Sequence, residues 1–354
     1  MSGFYTRFAA NVLFPLRERL KGRETVRIRR EMEARQWWSR ENLLAFQSER
    51  LRAFLRDVGA HVPYYRNLFA QTEFVPEEVT SLSGLQRLPF LDAAILRANV
   101  DCLRIEGQAH LARFESGAAN GEPLLLYVGP VRTSHDIAAR WRTLRWWDVD
   151  IGDPGIVVWG PPIDADTREL LGISCARSIR SARVLAFEMP DTEAERFIAR
   201  LRKRRPKTLT GNPSTLAYLA AFAQARDIAL NDLGIQTIFA AGERLWASQR
   251  ELIASSYGCP LVYLYGNRGS GLVASQCPMG GLHIAAENVV VEIVDEDGEA
   301  LPSGKAGEII LTNTASRDFP FIRYRTGDIG ALDWDSCPCG RGLPLLKLAE
   351  FGAR

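Results

Sequence analysis

Apolar and polar positions along this chain follow three successive patterns. Residues 1–113 read as a helical part: Arg17 to Arg56 has few helix breakers and mixes acids, bases and spaced apolar residues, as a partly exposed helix pair does. From about Phe114 short apolar runs bounded by Gly or Pro appear, PLLLYV over 123–128 and GIVVWG over 155–160, which predict buried strands. TEAERFIARLRKRR over 192–205 predicts a helix. TLTG follows it, and then a second helix with Asn212 as N-cap and Pro213 at the first helical position. IQTIFAAG (235–242) and LVYLYG (261–266) predict strands that end in glycine, where α/β folds place ligands, with a helix between them. This α/β stretch is expected over 114–275.

In the final third, 276–354, NVVVEIVDEDGEALPSG and AGEIILTNT alternate apolar and polar residues around the turn signal Glu296-Asp297-Gly298. A strand-rich β subdomain is predicted there, and the chain stops at KLAEFGAR with no closing helix.

Composition narrows the class. A length of 354 residues with 46% hydrophobic and 24% charged residues describes a globular protein with a sizeable core, not a disordered one. A net charge of +2, with acids balancing bases along most of the chain, argues against nucleic acid as a partner. The first residues, MSGFYTRFAANVLFPLRERL, are interrupted by Arg7 and lack the form of a secretory leader. Thr208 to Ala225, the longest uncharged stretch, begins with polar residues and is a poor membrane span, so a cytoplasmic protein is expected. The basic run Lys21 to Arg30 is read as a solvated helix face rather than a membrane contact, because Glu24 interrupts it and Glu31 and Glu33 follow.

Six cysteines in such a chain point to thiols or metal ligands rather than disulfides. Cys277, His283, Cys337 and Cys339 form a C-x5-H…C-x-C set, and three thiolates with one imidazole suit tetrahedral structural Zn²⁺. The competing reading is a tight CPCG turn with one buried thiol and His283 packed on a strand. Cys102, Cys175 and Cys259 have no partners by spacing and are expected to be buried as small apolar residues. His135, near a helix start, pairs with no serine or cysteine and is expected at the surface. Arg140, Trp141, Arg145, Trp146 and Trp147 are read as core tryptophans with solvated arginines.

Several segments in order resemble the phenylacetate–CoA ligase and CapK-like branch of the adenylate-forming (acyl-AMP) superfamily: HVPYYRNLF (61–69), LPFLDAAILRAN (88–99), GNPSTLAYLA (211–220), AAGERL (240–245), VEIVDEDGEALPSGKAGEIILTN (291–313), PFIRYRTGDIG (320–330) and CPCGRGLP (337–344). Some relatives carry the same Cys/His and Cys-x-Cys positions. The resemblance implies the α/β large-domain fold of these enzymes, layered α/β sheets plus a strand-rich β subdomain ending at the hinge, with the C-terminal lid absent. It implies activation of a small carboxylate with ATP and Mg²⁺ to an acyl-AMP, then transfer to CoA. By that resemblance Asp328 accepts hydrogen bonds from ribose hydroxyls, Tyr265 lies on adenine, Gly266 lets the backbone approach, and Gly242 and Glu243 border the ring. Asn267 continues this nucleotide-binding set, and Arg354 stands near the family's hinge arginine.

Three departures qualify that expectation. The phosphate-loop segment reads Glu115-Ser116-Gly117-Ala118-Ala119-Asn120-Gly121-Glu122-Pro123, in which Ser116, Gly117 and Gly121 keep the glycine-rich character but both threonine-type hydroxyls are gone. Each lost charge-assisted hydrogen bond is worth about 1.5–3 kcal/mol. The family's Tyr-Gly-x-Thr-Glu, whose glutamate helps hold Mg²⁺, reads Tyr265-Gly266-Asn267-Arg268-Gly269 here, placing a cation where a hard divalent ion needs oxygen ligands. The lid and its lysine do not follow. Two functions stay open: an acid–CoA ligase-like enzyme with reduced or lost ATP chemistry, or a lidless non-adenylating relative that binds, transfers or hydrolyses an acyl thioester or serves as a binding partner. A homodimer, or a lid carried by a separate protein, also stays open.

Overall fold

The computed structural model describes residues 2–108, 111–115, 124–159, 181–185, 190–267 and 269–349. Two compact units emerge: Met1–Gly22 with Arg140–Gly266 and Ser275–Pro278, and Arg23–Ala139 with Asn267–Ala274 and Met279–Arg354.

The first unit is built on parallel strands in the order Ser181–Leu185, Gly155–Trp159, Thr208–Gly211, Thr237–Ala241, Leu261–Asn267. Thr208–Gly211 and Thr237–Ala241 are buried at every position, which is why these strands read as unbroken rather than alternating apolar runs. Helices Asp191–Arg204, Pro213–Gln224 and Ala247–Tyr257 share one core with them, through Phe197, Leu201, Leu216, Leu219 and Ile253. Helix Asp191–Arg204 opens on Asp191 and Glu193 and closes on Arg202, Lys203 and Arg204, matching charge to both ends of its dipole. Asn212 and Pro213 start the next helix as predicted. At Gly211, directly before them, an added Cβ would lie 2.7 Å from the Val158 carbonyl oxygen, so the neighbouring strand packs only against glycine.

The second unit is antiparallel: Val289–Val294, Gly307–Asn313, Tyr324–Asp333, Leu345–Leu348 and Leu282–Ile284, in that order. The expected turn is present. The Asp295 carboxylate accepts the amides of Asp297 and Glu299, and Gly298 takes φ +87°. Helices Thr25–Arg35, Arg40–His61 and Pro63–Gln71 belong to this unit, the second capped by the Ser39 side chain accepting the Asn42 amide.

Arg323 ties these parts of the second unit together. It is 4% exposed and sits at φ +51°. Its guanidinium forms a two-point ion pair with Glu292 (Nε–Oε2 3.3 Å, Nη2–Oε1 3.2 Å), and Nη1 donates to the carbonyls of Leu88 (2.7 Å) and Gln86 (3.3 Å). It also lies over the Phe90 ring, 4.2 Å from the centroid. Burial pushes the Glu292 carboxyl above its ordinary range, and Arg323 pulls it back. Removing one partner of such a pair leaves an uncompensated buried charge. Arg323→Met is therefore expected to cost about 3–5 kcal/mol in urea unfolding, and adding Glu292→Gln should recover part of that loss.

Candidate functional site

In the first unit, Gly242, Glu243, Tyr265 and Gly266 lie at the C-terminal ends of two neighbouring parallel strands. Gly242 has φ +84°, and a Cβ there would fall 2.7–2.8 Å from the Trp159 ring, so the chain can turn only as glycine. The Glu243 carboxylate accepts the Ser214 amide (3.2 Å) in the first turn of helix Pro213–Gln224, a favourable end for an anion. Its carbonyl accepts the Tyr263 hydroxyl at 3.1 Å. Tyr265 is 7% exposed, a largely buried aromatic.

In the second unit, Asp328 lies on strand Tyr324–Asp333 and is exposed. The strand is irregular here. Its pairing register shifts between Glu308 and Ile310, Gly327 takes φ +75°, and the Thr326 hydroxyl donates to the Ile309 carbonyl while accepting the Asp328 amide. A bulge of this kind re-aims a side chain away from the sheet. Asn267 turns back on its own chain, Oδ1 accepting the Ser270 amide at 2.6 Å. Ser116, Gly117, Gly121, Arg268 and Arg354 lie outside the described residues.

Position 269 is closely packed. A Cβ on Gly269 would stand 2.7 Å from Cε1 and 2.9 Å from Cζ of Phe321, and 3.3 Å from Asn267 Oδ1. Phe321 is 1% exposed and held edge-on between Phe319 (5.8 Å) and Tyr324 (5.1 Å), so its ring has little room to retreat. A glutamate cannot return to position 269 without repacking this aromatic stack.

The thiol and imidazole set does come together. One ligand atom from each of Cys277, His283, Cys337 and Cys339 lies within 4.8 Å of the others, close to the ~3.8 Å between sulfurs expected around a tetrahedral ion with Zn–S near 2.3 Å. Cys277, His283 and Cys337 are buried and Cys339 half-buried. His283 Nδ1 lies 3.0 Å from the Leu343 carbonyl, which fixes the Nδ1–H tautomer and leaves Nε2 as the lone-pair donor, 3.1 Å from Cys339 Sγ. A Cβ on Gly281 would sit 2.9 Å from Cys337 Sγ and 3.4 Å from His283 Nε2, so glycine keeps the space between the ligands open. The donor set and its surroundings fit Zn²⁺. The CPCG turn is present as well, the Gly340 amide donating to the Cys337 carbonyl at 2.9 Å, and it carries Cys337 and Cys339 to the other two side chains.

Other expectations need correction. His135 is half-buried, not at the surface: Nδ1 faces Asn288 Oδ1 at 2.7 Å and Nε2 faces Arg50 Nη2 at 3.3 Å. Burial and the adjacent Arg50 lower its pKa to about 3, so the ring is neutral. Sequence spacing gave no sign of this network, whose members are more than 80 residues apart. Cys102 is exposed and Cys259 half-buried, because tertiary neighbours rather than residue type set their exposure; Cys175 lies outside the described residues. Trp141 and Trp146 are core residues and Arg145 is exposed on an ion pair with Asp150, but Arg140 is half-buried rather than solvated, burial lowering its pKa to about 10, and Trp147 is half-buried, its Nε1 donating to the Gln276 carbonyl at 3.0 Å. Also missed was Asp318, 1% exposed and pressed against Gly129, where an added Cβ would meet its carboxylate; burial raises its pKa.

No family model matches the sequence. The chain is 26% identical over 313 residues to a phenylacetate–coenzyme A ligase of Thermus thermophilus, covering 85% of this chain and 68% of that protein. It is 26% identical over 298 residues to one from Pseudomonas putida, covering 81% and 66%. It thus spans about two thirds of these relatives' length. Among solved structures, a 2-hydroxyisobutyryl-CoA ligase in the postadenylation state with R3-HIB-AMP superposes with TM-score 0.76 at 20% identity, covering 90% of this chain and 69% of that one. The same enzyme with 2-HIB-AMP and CoA in the thioesterification state gives 0.74 at 19% identity, with the same coverage. The chain therefore has the large-domain fold of adenylate-forming CoA ligases and is similar in sequence to phenylacetate–CoA ligases.

The packing at position 269 can be tested directly. Gly269→Glu is expected to lose about 1–3 kcal/mol through overpacking, and Mg²⁺ should not restore that stability in urea unfolding followed with and without the ion.

Proposed function

We propose that this chain is an acid–CoA ligase-like protein that binds a small carboxylate as its acyl-adenylate or acyl thioester, with ATP-driven adenylation reduced or lost. The observation that carries this reading is Gly269 wedged against the buried Phe321 ring where the resembling enzymes have a Mg²⁺-holding glutamate. Without that carboxylate, the phosphate charge that Mg²⁺ would neutralise is unmet, and one lost electrostatic stabiliser of a transition state costs about 10²–10³ in rate. In this reading Tyr265 and Gly266 take the adenine, Gly242 and Glu243 border it, and Asp328 accepts the ribose hydroxyls. Ser116, Gly117, Gly121, Asn267 and Arg354 complete the nucleotide-binding set that the resemblance implies.

The solved ligase bound to an acyl-AMP and CoA supports the ligand classes proposed for these residues. A second reading is favoured by the same glycine: a protein that holds or transfers an acyl thioester with no adenylation step. Zn²⁺ at Cys277, His283, Cys337 and Cys339 is structural in either case, since all four protein ligands are supplied and no position is left for substrate.

ATP–pyrophosphate exchange with aromatic and short aliphatic acids is the decisive assay. Exchange is expected at several orders of magnitude below ordinary ligase rates, while calorimetry shows AMP or acyl-CoA binding that does not depend on Mg²⁺. Mg²⁺-dependent exchange at ordinary rates would overturn the reading. Separately, elemental analysis should find one zinc per chain, and Cys339→Ser should lower both zinc content and melting temperature; a metal-free chain that melts no lower than a zinc-loaded one rules out the structural role.

A further inference from the structure

Helical residues run without a break from Ser2 to Leu20, as Ser2–Phe8, a π-helical turn Ala9–Leu13, and Phe14–Leu20. One face is anchored in the first unit. Ala9, Ala10 and Phe14 are buried, the Thr6 hydroxyl donates to Asp153 (2.8 Å), and Phe14 meets Trp141 edge-on at 5.1 Å. The opposite face carries Phe4 (82% exposed), Phe8 (43%), Val12 (47%), Leu16 (54%) and Leu20 (81%).

These five residues are spaced by four throughout. In a helix of 3.6 residues per turn, each such step drifts about 40° around the axis, which would wrap the five side chains around the helix. The wider i→i+5 turn at Ala9–Leu13 removes part of that drift. The π turn thus helps keep large apolar side chains on one side while small Ala9 and Ala10 face inward.

Charge selects the occupant. Arg7, Arg19 and Lys21 are exposed and Arg17 half-buried, and the single acid in this stretch, Glu18, is buried. The exposed charge along the stripe therefore has one sign. A helix about 29 Å long, with phenylalanine and leucine on one side flanked by arginine and lysine, matches the in-plane helices that rest at the headgroup boundary of an anionic bilayer. No helix among the described residues is long and apolar enough to cross a membrane, so a surface-lying mode is the one this helix offers.

We propose that the Ser2–Leu20 helix docks this protein on an anionic membrane surface, with Phe4, Phe8, Val12, Leu16 and Leu20 in the acyl boundary and Arg7, Arg19 and Lys21 on lipid headgroups. This inference is independent of the acyl chemistry proposed above.

Flotation of the full chain with phosphatidylcholine vesicles, with and without phosphatidylglycerol, tests it. Retention is expected on the anionic vesicles only, weakening as salt rises. Arg7→Gln with Arg19→Gln should weaken binding about 25-fold, since each cation near an anionic surface is worth about fivefold. Phe4→Ser with Leu20→Ser should abolish it, with urea unfolding unchanged because both side chains are exposed. A Phe4→Trp reporter should shift its emission to the blue on the same vesicles. Absence of binding to anionic vesicles at low salt, an unshifted reporter, or stripe variants that bind like the parent would overturn the proposal. So would a dimer that forms without lipid and dissociates in the Phe4→Ser, Leu20→Ser variant, which would assign the stripe to a second copy.

Discussion

A guanidinium buried in the second unit organises much of what surrounds it. Arg323 holds Glu292 on one strand, the carbonyls of Gln86 and Leu88 in an earlier segment, and the face of Phe90. Its backbone is equally committed: its amide donates to the Thr312 hydroxyl and its carbonyl accepts the Leu91 amide. An arginine taken out of water needs all of these acceptors together, because a partly satisfied buried cation is worse than none. The left-handed backbone at Arg323 is the cost of aiming the side chain inward. Two residues on, the strand enters the irregular stretch that contains Asp328.

The parallel strands were legible because burial on both faces leaves unbroken apolar runs between Gly and Pro, as at Thr237–Ala241. The helix after Thr208–Gly211 announced itself through Asn212 and Pro213, whose preferences are local. The Cys/His set was legible as residue types, although spacing alone could not choose between a metal cluster and a lone buried thiol. Contacts between distant residues were not legible. Phe321 and Gly269 are separated by 52 positions, and only the folded chain reveals that an aromatic ring occupies the space a carboxylate would need. His135 was misjudged for the same reason: an isolated histidine on a helix looks solvated until Arg50 and Asn288 close around it. The N-terminal stripe was hidden differently, since its spacing suits no ordinary helix until the π turn is known.

Fold and chemistry depend on different residues, so likeness in fold to these ligases does not by itself carry their chemistry. The strand end at Gly242 requires a left-handed backbone that glycine alone provides cheaply. The charge-managing positions are side chains that the core does not need, so they can change without disturbing it. At position 269 the buried Phe321 ring lies 2.7 Å from where a Cβ would stand, so this position is bound to the core.

The knuckle between Cys337 and Leu343 does more than present ligands. The Gly342 amide donates to the Gln36 carbonyl at 2.8 Å, and a Cβ on Gly342 would fall 1.8 Å from the Trp38 carbonyl oxygen. The end of helix Thr25–Arg35 is thus closed by residues that leave the ribosome about 300 positions later. That hydrogen bond therefore forms only after nearly the whole chain has been made. Contacts this distant in sequence are slow to form.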